Sequence, residues 1–461
     1  MMDADNSRNL LPEGLADDIE TETGAIVSAV KTRGGEGASR EGAELTLTWP
    51  DGRSVRAYMN FDVNRAGAGT DDDFLREAAI LRALSGPLKD SGVRAARFIA
   101  ALPARRALLG EFISGRSDYN GLATEEERRV VAADFMAQLA KLHAIDISKH
   151  PVDGMGPVER PSEMARRRLT ALRERTRANG DDPMIHLAID WLEDNIPADP
   201  ERTVIVHADA GPGNFLFEDN KVTCMLDWEL VHYGDPMADL AMMSLRMLFQ
   251  PFIPMPDAFR AYEAAGGVKV DVAKVRYWRL FFQTGFAGRM KFAEPDAPRP
   301  PNLGMNLVYN LMHRRVCSEA LAEAAGIDLP PVVMPDAPPG QYDWSFEIAL
   351  EDLKDVIVPR ITDRQASVKA KGLARLVKWW RAHERFGPVW DAQEMLETEQ
   401  ALGRNFASLV EARDALRDAV LAKSIDRAVA VRLINARVTR DAAYHAESMG
   451  RLANNHFPEL E

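Results

Sequence analysis

The sequence predicts an α+β protein in three parts: a small β-rich lobe, a mainly helical lobe and an all-helical C-terminal domain. Three observations lead there. "AELTLTW" and "SVRAYMNF" alternate apolar and polar residues on either side of a Pro-Asp-Gly turn, the pattern of half-buried strands. From about Thr124 the apolar spacing becomes helical. A proline-rich stretch then separates a last segment that is helical throughout. At 461 residues, two to four domains are the expectation.

In the hairpin, Leu45, Leu47 and Trp49 share one face of the first strand, and Val55, Ala57 and Met59 one face of the second. Pro50 presets φ and Gly52 permits a positive φ, which suits the turn. "RGGEGASREG" precedes the hairpin. "TDDDFLREAAILRALSG" reads as a helix capped by Thr70 or Asp71, with acids in its first turn and Gly86 after its end. "RALLGEFISG" reads as a strand running into a connector at 111–115. The helical lobe opens with "EEERRVVAADFMAQLAKLHAID", striped by Val131, Phe135, Leu139 and Leu142. Further helices are expected over 237–248, 257–265, 272–291 and 307–325. The linker 326–344 carries five prolines after Leu329 and no periodicity. Beyond it, "QASVKAKGLARLVKWWRAHERFG" and "AQEMLETEQALGRNFASLVEARDALRDAVLAKSI" keep helical spacing, broken near Gly403. The expected divisions are an extension at 1–25, the β-rich lobe at 26–115, the helical lobe at 116–328, the linker at 329–343 and a helical accessory domain at 344–461.

A net charge of −13 argues against nucleic acid as a partner, because phosphate backbones demand Lys/Arg surfaces. The two cysteines, Cys224 and Cys317, lack partners at metal-ligand spacing and read as reduced thiols. The N-terminus is acidic without an apolar core, unlike a signal peptide, and no apolar run reaches membrane length. A cytoplasmic protein without membrane or nucleic-acid partners is the expectation.

The chemistry concentrates in "VIVHADAGPGNFLFEDNKVTCMLDWE", from Val204 to Glu229. His207, Asp209 and Asn214 form H-x-D-x-x-x-x-N, and Asp227 follows at the end of an apolar run. A strand pair turning at Asp219–Asn220 would set Asn214 beside Asp227, with Asp209 close by. Phosphoryl transfer needs a carboxylate to take the proton of the attacking hydroxyl, and oxygen ligands to hold Mg²⁺ against the phosphates. A carboxylate and an amide suit that hard ion. Trp228, His143 and the methionines of "PMADLAMMSLRMLF" read as packing.

With "MLDWELVHYGDPMADLA" following "HADAGPGNFLF", the stretch resembles the core of the aminoglycoside phosphotransferase and choline kinase-like enzymes. The resemblance covers roughly residues 26–325. It implies a bilobal protein-kinase-like fold and transfer of the γ-phosphate of ATP, or another nucleoside triphosphate, to a small-molecule hydroxyl. By that resemblance Asp209 is the catalytic base, Asn214 and Asp227 are Mg²⁺ ligands, Asp239 braces the catalytic loop and His207 is structural. "GGEGASREG" resembles the nucleotide loop, with Gly35, Gly37, Ser39 and Arg40 as contacts. Glu77 takes the place of the ion-pairing helix glutamate, and Glu111 and Ile113 that of the hinge.

One part departs from the pattern. Such enzymes carry a cation on the third strand. If Ala57 matches the alanine of V-A-I-K, the lysine position is Met59, with Arg56 and Tyr58 on the opposite face. A bulge at Arg56, or Arg40, are other sources of charge. Two readings stand at this point: an active kinase with a displaced cation, and a kinase-fold binding protein that is weak or silent. Alanine and glycine in "HADAGPGN" leave room near Asp209. No anionic acceptor cleft is evident, and the aromatics from Tyr277 to Phe286 read as core more readily than as an acceptor pocket. For the C-terminal helices, regulation, lid formation and homodimerisation stay open beside simple docking.

Overall fold

The computed structural model describes residues 10–33, 40–62, 70–289, 300 and 302–461. They belong to two compact units. One holds Met1–Pro161, Asp199–Val272 and Glu459–Glu461, and the other Ser162–Ala198 and Ala273–Pro458.

The first unit begins with α1 (Leu15–Thr23), set between Gly14 and Gly24 in left-handed conformation. Strands β1 (Ile26–Arg33), β2 (Arg40–Thr48) and β3 (Ser54–Asp62) follow, then α2 (Asp71–Ser85), β4 (Phe98–Leu102) and β5 (Ala107–Glu111). The strands form one antiparallel sheet in the order β1-β2-β3-β5-β4. The expected hairpin is β2–β3, and Gly52 closes its turn with a φ of 86°. Thr70 caps α2 in a box with Asp73. Sequence spacing did not reveal α1, β1 or β4.

The two faces of the sheet pack differently. Ala57, Met59 and Phe61 of β3 join Leu45, Leu47, Ala107 and Leu109 in a core closed by Leu15 and Ile19 of α1. On the other face, Leu108 packs against Phe74 and Ala78 of α2. Asn60 lies directly opposite Leu108, and Met59 opposite Leu109. Side chains alternate along a strand, so Tyr58 and Asn60 face α2 and Met59 faces α1.

Helix α3 (Glu125–Ala144) buries the expected stripe of Val131, Phe135, Leu139 and Leu142. The chain then passes into the second unit through α4 (Pro161–Ala178) and α5 (Pro183–Asp194). It returns with β6 (Val204–Val206), β7 (Phe215–Glu218), β8 (Lys221–Met225) and β9 (His232–Gly234). Strand β6 pairs with β9, and β7 with β8. Helices α6 (Pro236–Arg246) and α7 (Met255–Ala264) complete this unit.

The second unit adds α8 (Val272–Ala287), α9 (Leu303–Ala325), α10 (Asp343–Glu351), α11 (Arg364–Leu402), α12 (Leu409–Leu421), α13 (Arg427–Tyr444) and α14 (Ala446–Met449). The two helical stretches read on either side of Gly387–Pro388 are one helix, α11, which runs through the proline. Tyr277, Trp278 and Phe281 of α8 are buried ring against ring, so these aromatics are core. Ion pairs tie α5 to later helices: Asp194 to Arg427 at 2.6 Å and Asp190 to Lys423 at 3.4 Å. Asp182, which caps α5, pairs with Arg314 of α9. Among the described residues, no helix is long and apolar enough to cross a membrane.

Candidate active site

The stretch from Val204 to Glu229 folds as its spacing predicts. Asp219 and Asn220 take φ of 48° and 59°, the paired positive values of a tight hairpin turn whose twist matches the strands. Hairpin β7–β8 thereby sets Phe215 opposite Met225. Leu226 N–H donates to the Asn214 carbonyl at 2.9 Å, so Asn214 and Asp227 enter and leave the hairpin as neighbours.

The loop before the hairpin hangs on Asp239, in the first turn of α6, where the helix dipole favours an anion. His207 N–H donates to its Oδ2 at 2.8 Å and Ala208 N–H to its Oδ1 at 2.6 Å. His143 Nε2 lies 3.0 Å from the same Oδ2, and its Nδ1 lies 2.8 Å from the Tyr262 hydroxyl. Asp239 is fully buried. Burial alone would raise its pKa, but the His143 hydrogen bond and the neighbouring histidines outweigh it and hold the carboxyl below its usual value. The left-handed Ala208, φ 64°, aims both N–H groups at this carboxylate.

His207 is fully buried. Burial depresses its pKa, so the ring is neutral. Its Nε2 meets the Leu226 carbonyl at 2.9 Å, and Asp209 N–H donates to its Nδ1 at 3.3 Å. Those partners fix the tautomer with the proton on Nε2. Trp228 is buried against the ring at 4.5 Å and is packing, as its sequence context suggests.

Asp209 is held on both carboxylate oxygens. Asn214 Nδ2 donates to Oδ2 at 2.5 Å and to the Asp209 carbonyl at 2.9 Å. Arg246, at the end of α6, donates from Nη1 to Oδ1 at 2.6 Å. The same guanidinium reaches the Pro212 carbonyl through Nη2 at 2.8 Å and Nε at 3.3 Å. Sequence reasoning missed Arg246, because it lies 37 residues from Asp209 inside a methionine-rich helix that reads as core.

The room expected near Asp209 is real and is filled from α6 and the residues just after it. A Cβ on Gly211, φ 146°, would stand 3.0 Å from Arg246 Cδ, and one on Gly213, φ 89°, would stand 2.7 Å from Gln250 Oε1. The connector after β5 is bound to the same hairpin. Arg116 and Phe217 exchange two backbone hydrogen bonds of 3.0 Å, and Thr223 Oγ1 donates to the Ser114 carbonyl at 3.0 Å. Gly115, φ 143°, allows this approach, since a Cβ there would meet Thr223 Oγ1 at 2.9 Å.

Glu77 is buried on α2. Glu111 ends β5 and pairs with Arg97 at 3.2 Å, and Ile113 follows in the half-buried connector. Gly35, Gly37, Ser39 and the Arg40 side chain lie outside the described residues. The strand lysine's place is not Met59, which is sealed into the α1 core. The face toward α2 carries Tyr58 and Asn60, neither of them a cation. Strand β3 is in unbroken register with β2 and β5, so alternation puts Arg56 on the same face as Tyr58 and Asn60, without a bulge. Arg56 is exposed, paired with Glu44 at 2.5 Å and stacked over Phe112 at 4.0 Å.

The donor set fits Mg²⁺. Asn214 turns its Nδ2 to Asp209, which leaves Oδ1 as its acceptor end, and Asp227, one residue past the backbone bond to Asn214, is exposed. Among the described residues no cluster of three or more His, Cys, Asp or Glu forms a closed metal cage. Mg²⁺ takes few protein ligands and keeps its waters, so it needs no such cage.

The profile of the phosphotransferase enzyme family matches residues 60–278. Acyl-CoA dehydrogenase family member 11 of Gallus gallus is 32% identical over 107 residues, 22% of this chain and 13% of that protein. Family member 10 of Mus musculus is 28% identical over 163 residues, 34% of this chain and 15% of that protein. The chain therefore matches only a small part of those relatives' length. Among solved structures, macrolide 2'-phosphotransferase MphH from Brachybacterium faecium is 20% identical, with a TM-score of 0.45 over 70% of this chain and 100% of that one. The aminoglycoside phosphotransferase APH(2")-IIa in complex with streptomycin and ATP is 12% identical, with a TM-score of 0.45 over 68% and 96% of the two chains. The match to the phosphotransferase enzyme family thus spans residues 60–278, just under half of this chain's length.

Proposed function

We propose that this protein transfers the γ-phosphoryl group of ATP, or of another nucleoside triphosphate, to a hydroxyl of a small molecule, in the cytoplasm and with Mg²⁺. The observation that carries this reading is the carboxylate of Asp209, fixed by Asn214 and set beside the exposed Asp227 by hairpin β7–β8. Asp209 receives the proton of the acceptor hydroxyl as that oxygen attacks. Asn214 orients the carboxylate and, with Asp227, would hold Mg²⁺, which neutralises charge on the phosphates when bound. Asp239 keeps the loop in place through the His207 and Ala208 amides.

A second reading, a nucleotide-binding protein without turnover, is favoured by one observation: Tyr58 and Asn60 stand where the strand cation is expected. The two separate by experiment. Millimolar ATP with Mg²⁺ should raise the melting temperature of the wild type, and no shift would count against both readings. Turnover is then measured against a panel of small-molecule alcohols that includes aminoglycosides and macrolides. Asp209→Asn should lower the rate about 10²–10⁴-fold while leaving the ATP shift intact. Full turnover in that variant would remove Asp209 as the base.

A further inference from the structure

We propose that Arg246 contacts the transferring phosphoryl group and supplies positive charge beside the base. This rests on the phosphoryl-transfer reading above.

The transferring group carries negative charge on its equatorial oxygens, and cations aimed at those oxygens do much of the catalysis. On the sheet, Arg56 is exposed and engaged with Glu44 and Phe112. Arg106 is buried between Asp62 at 2.6 Å and Asp71 at 2.9 Å. Of the β3 residues on the α2 face, Tyr58 and Asn60 are neutral, and Arg56 is the one already engaged. Arg246 has what these lack: its guanidinium touches the base, and its side chain keeps 20% exposure. A guanidinium has five N–H donors. Three serve Asp209 and the Pro212 carbonyl, which leaves one N–H on each Nη nitrogen.

The loop is built around this arginine. Gly211 and Gly213 have no side chains, and the space beside them is occupied by the Arg246 stem and the Gln250 amide. A charge that a loop residue beside the base would have to carry thus arrives from the end of α6. An attacking oxygen hydrogen-bonded to Asp209 stands about 3–3.5 Å from the phosphorus in a reactive pose. A guanidinium bonded to the same carboxylate therefore spans to the equatorial oxygens without leaving the loop.

In the step itself the acceptor oxygen forms a bond to the γ-phosphorus and its proton passes to Asp209. The bond from that phosphorus to the β,γ-bridging oxygen breaks, and its electron pair leaves on the nucleoside diphosphate. Arg246 donates to the equatorial oxygens throughout, and nothing is oxidised or reduced.

The test needs no acceptor. Calorimetry measures MgADP, alone and with aluminium fluoride as a planar phosphoryl mimic, on full-length wild type, Arg246→Ala and Arg246→Lys. MgADP alone should bind all three within about twofold. The aluminium fluoride complex should weaken about 10²-fold in Arg246→Ala and less in Arg246→Lys. Slow ATP hydrolysis by the alanine variant should recover with added guanidinium ion. Equal affinity of wild type and variants for the aluminium fluoride complex would overturn the assignment. Wild type that binds no MgADP at all would overturn the phosphoryl-transfer reading together with it. Arg246→Lys keeps the comparison decisive should the alanine variant fail to fold.

Discussion

Strand β3 and hairpin β7–β8 lie in the same unit, yet they are built on different terms. At the hairpin's entrance Asp209 is braced by Asn214 and Arg246, and the loop amides by Asp239, which is itself held by His143. Strand β3 keeps an unbroken register with its neighbours and gives one face to packing. Ala57, Met59 and Phe61 close a core with α1, while Tyr58 and Asn60 face α2. The difference teaches that a charge requirement belongs to a position in space rather than to a place in a motif.

The largest effect expected on this comparison is at Asp239. Asparagine cannot accept from both the His207 and Ala208 amides while also meeting His143. Asp239→Asn should cost about 3–5 kcal/mol of stability in urea denaturation, as expected for a broken buried charge network. A loss near zero would mean that the loop is braced elsewhere.

The two faces of β3 are compared next. Met59→Lys forces an ammonium into the α1 core and should cost more than about 2 kcal/mol. Asn60→Lys, one residue on and facing α2, should cost less than about 1 kcal/mol. Equal costs measured by thermal or urea unfolding would break the assignment of faces.

Acid should weaken the second unit in smaller steps. Burial lowers His313 to about 4 and His445 to about 3, from 6.5. A depressed pKa means that the unfolded chain takes the proton first. The stabilisation is therefore complete above about pH 6.5 and is lost as pH falls from there toward the folded values. Each histidine should contribute a slope of about 1.4 kcal/mol per pH unit in that window. His445→Gln should remove one such slope, which urea midpoints between pH 7.5 and 5 would reveal.

Much of the site was legible because local chemistry wrote it. The spacing of His207, Asp209 and Asn214, and an Asp-Asn pair at the hairpin turn, are short-range signals that the structure reproduces. Arg246 was not legible, since a salt bridge across 37 residues leaves no periodic trace in a helix whose other residues read as core. The face of β3 was misjudged for a related reason. Alternation separates the two faces, but only α1, whose apolar content is little more than Leu15, Ala16 and Ile19, decides which face is sealed. A continuous α11 was hidden by Gly387 and Pro388, local stop signals that the packing of α10, α12 and α13 along the helix overrides.

The crossing of the chain between units through α4 and α5 has a consequence for how the protein is made. Helix α5 packs with α9, α12 and α13, all encoded far downstream. At roughly 5–20 residues per second of synthesis, α5 leaves the ribosome many seconds before its partners exist, with Ile185, Ala188 and Ile189 bare. Ending the chain at the proline-rich stretch would make that exposure permanent. The C-terminal helices are, in this sense, the other half of a core begun more than two hundred residues earlier, and truncated forms should appear as aggregates rather than as smaller enzymes.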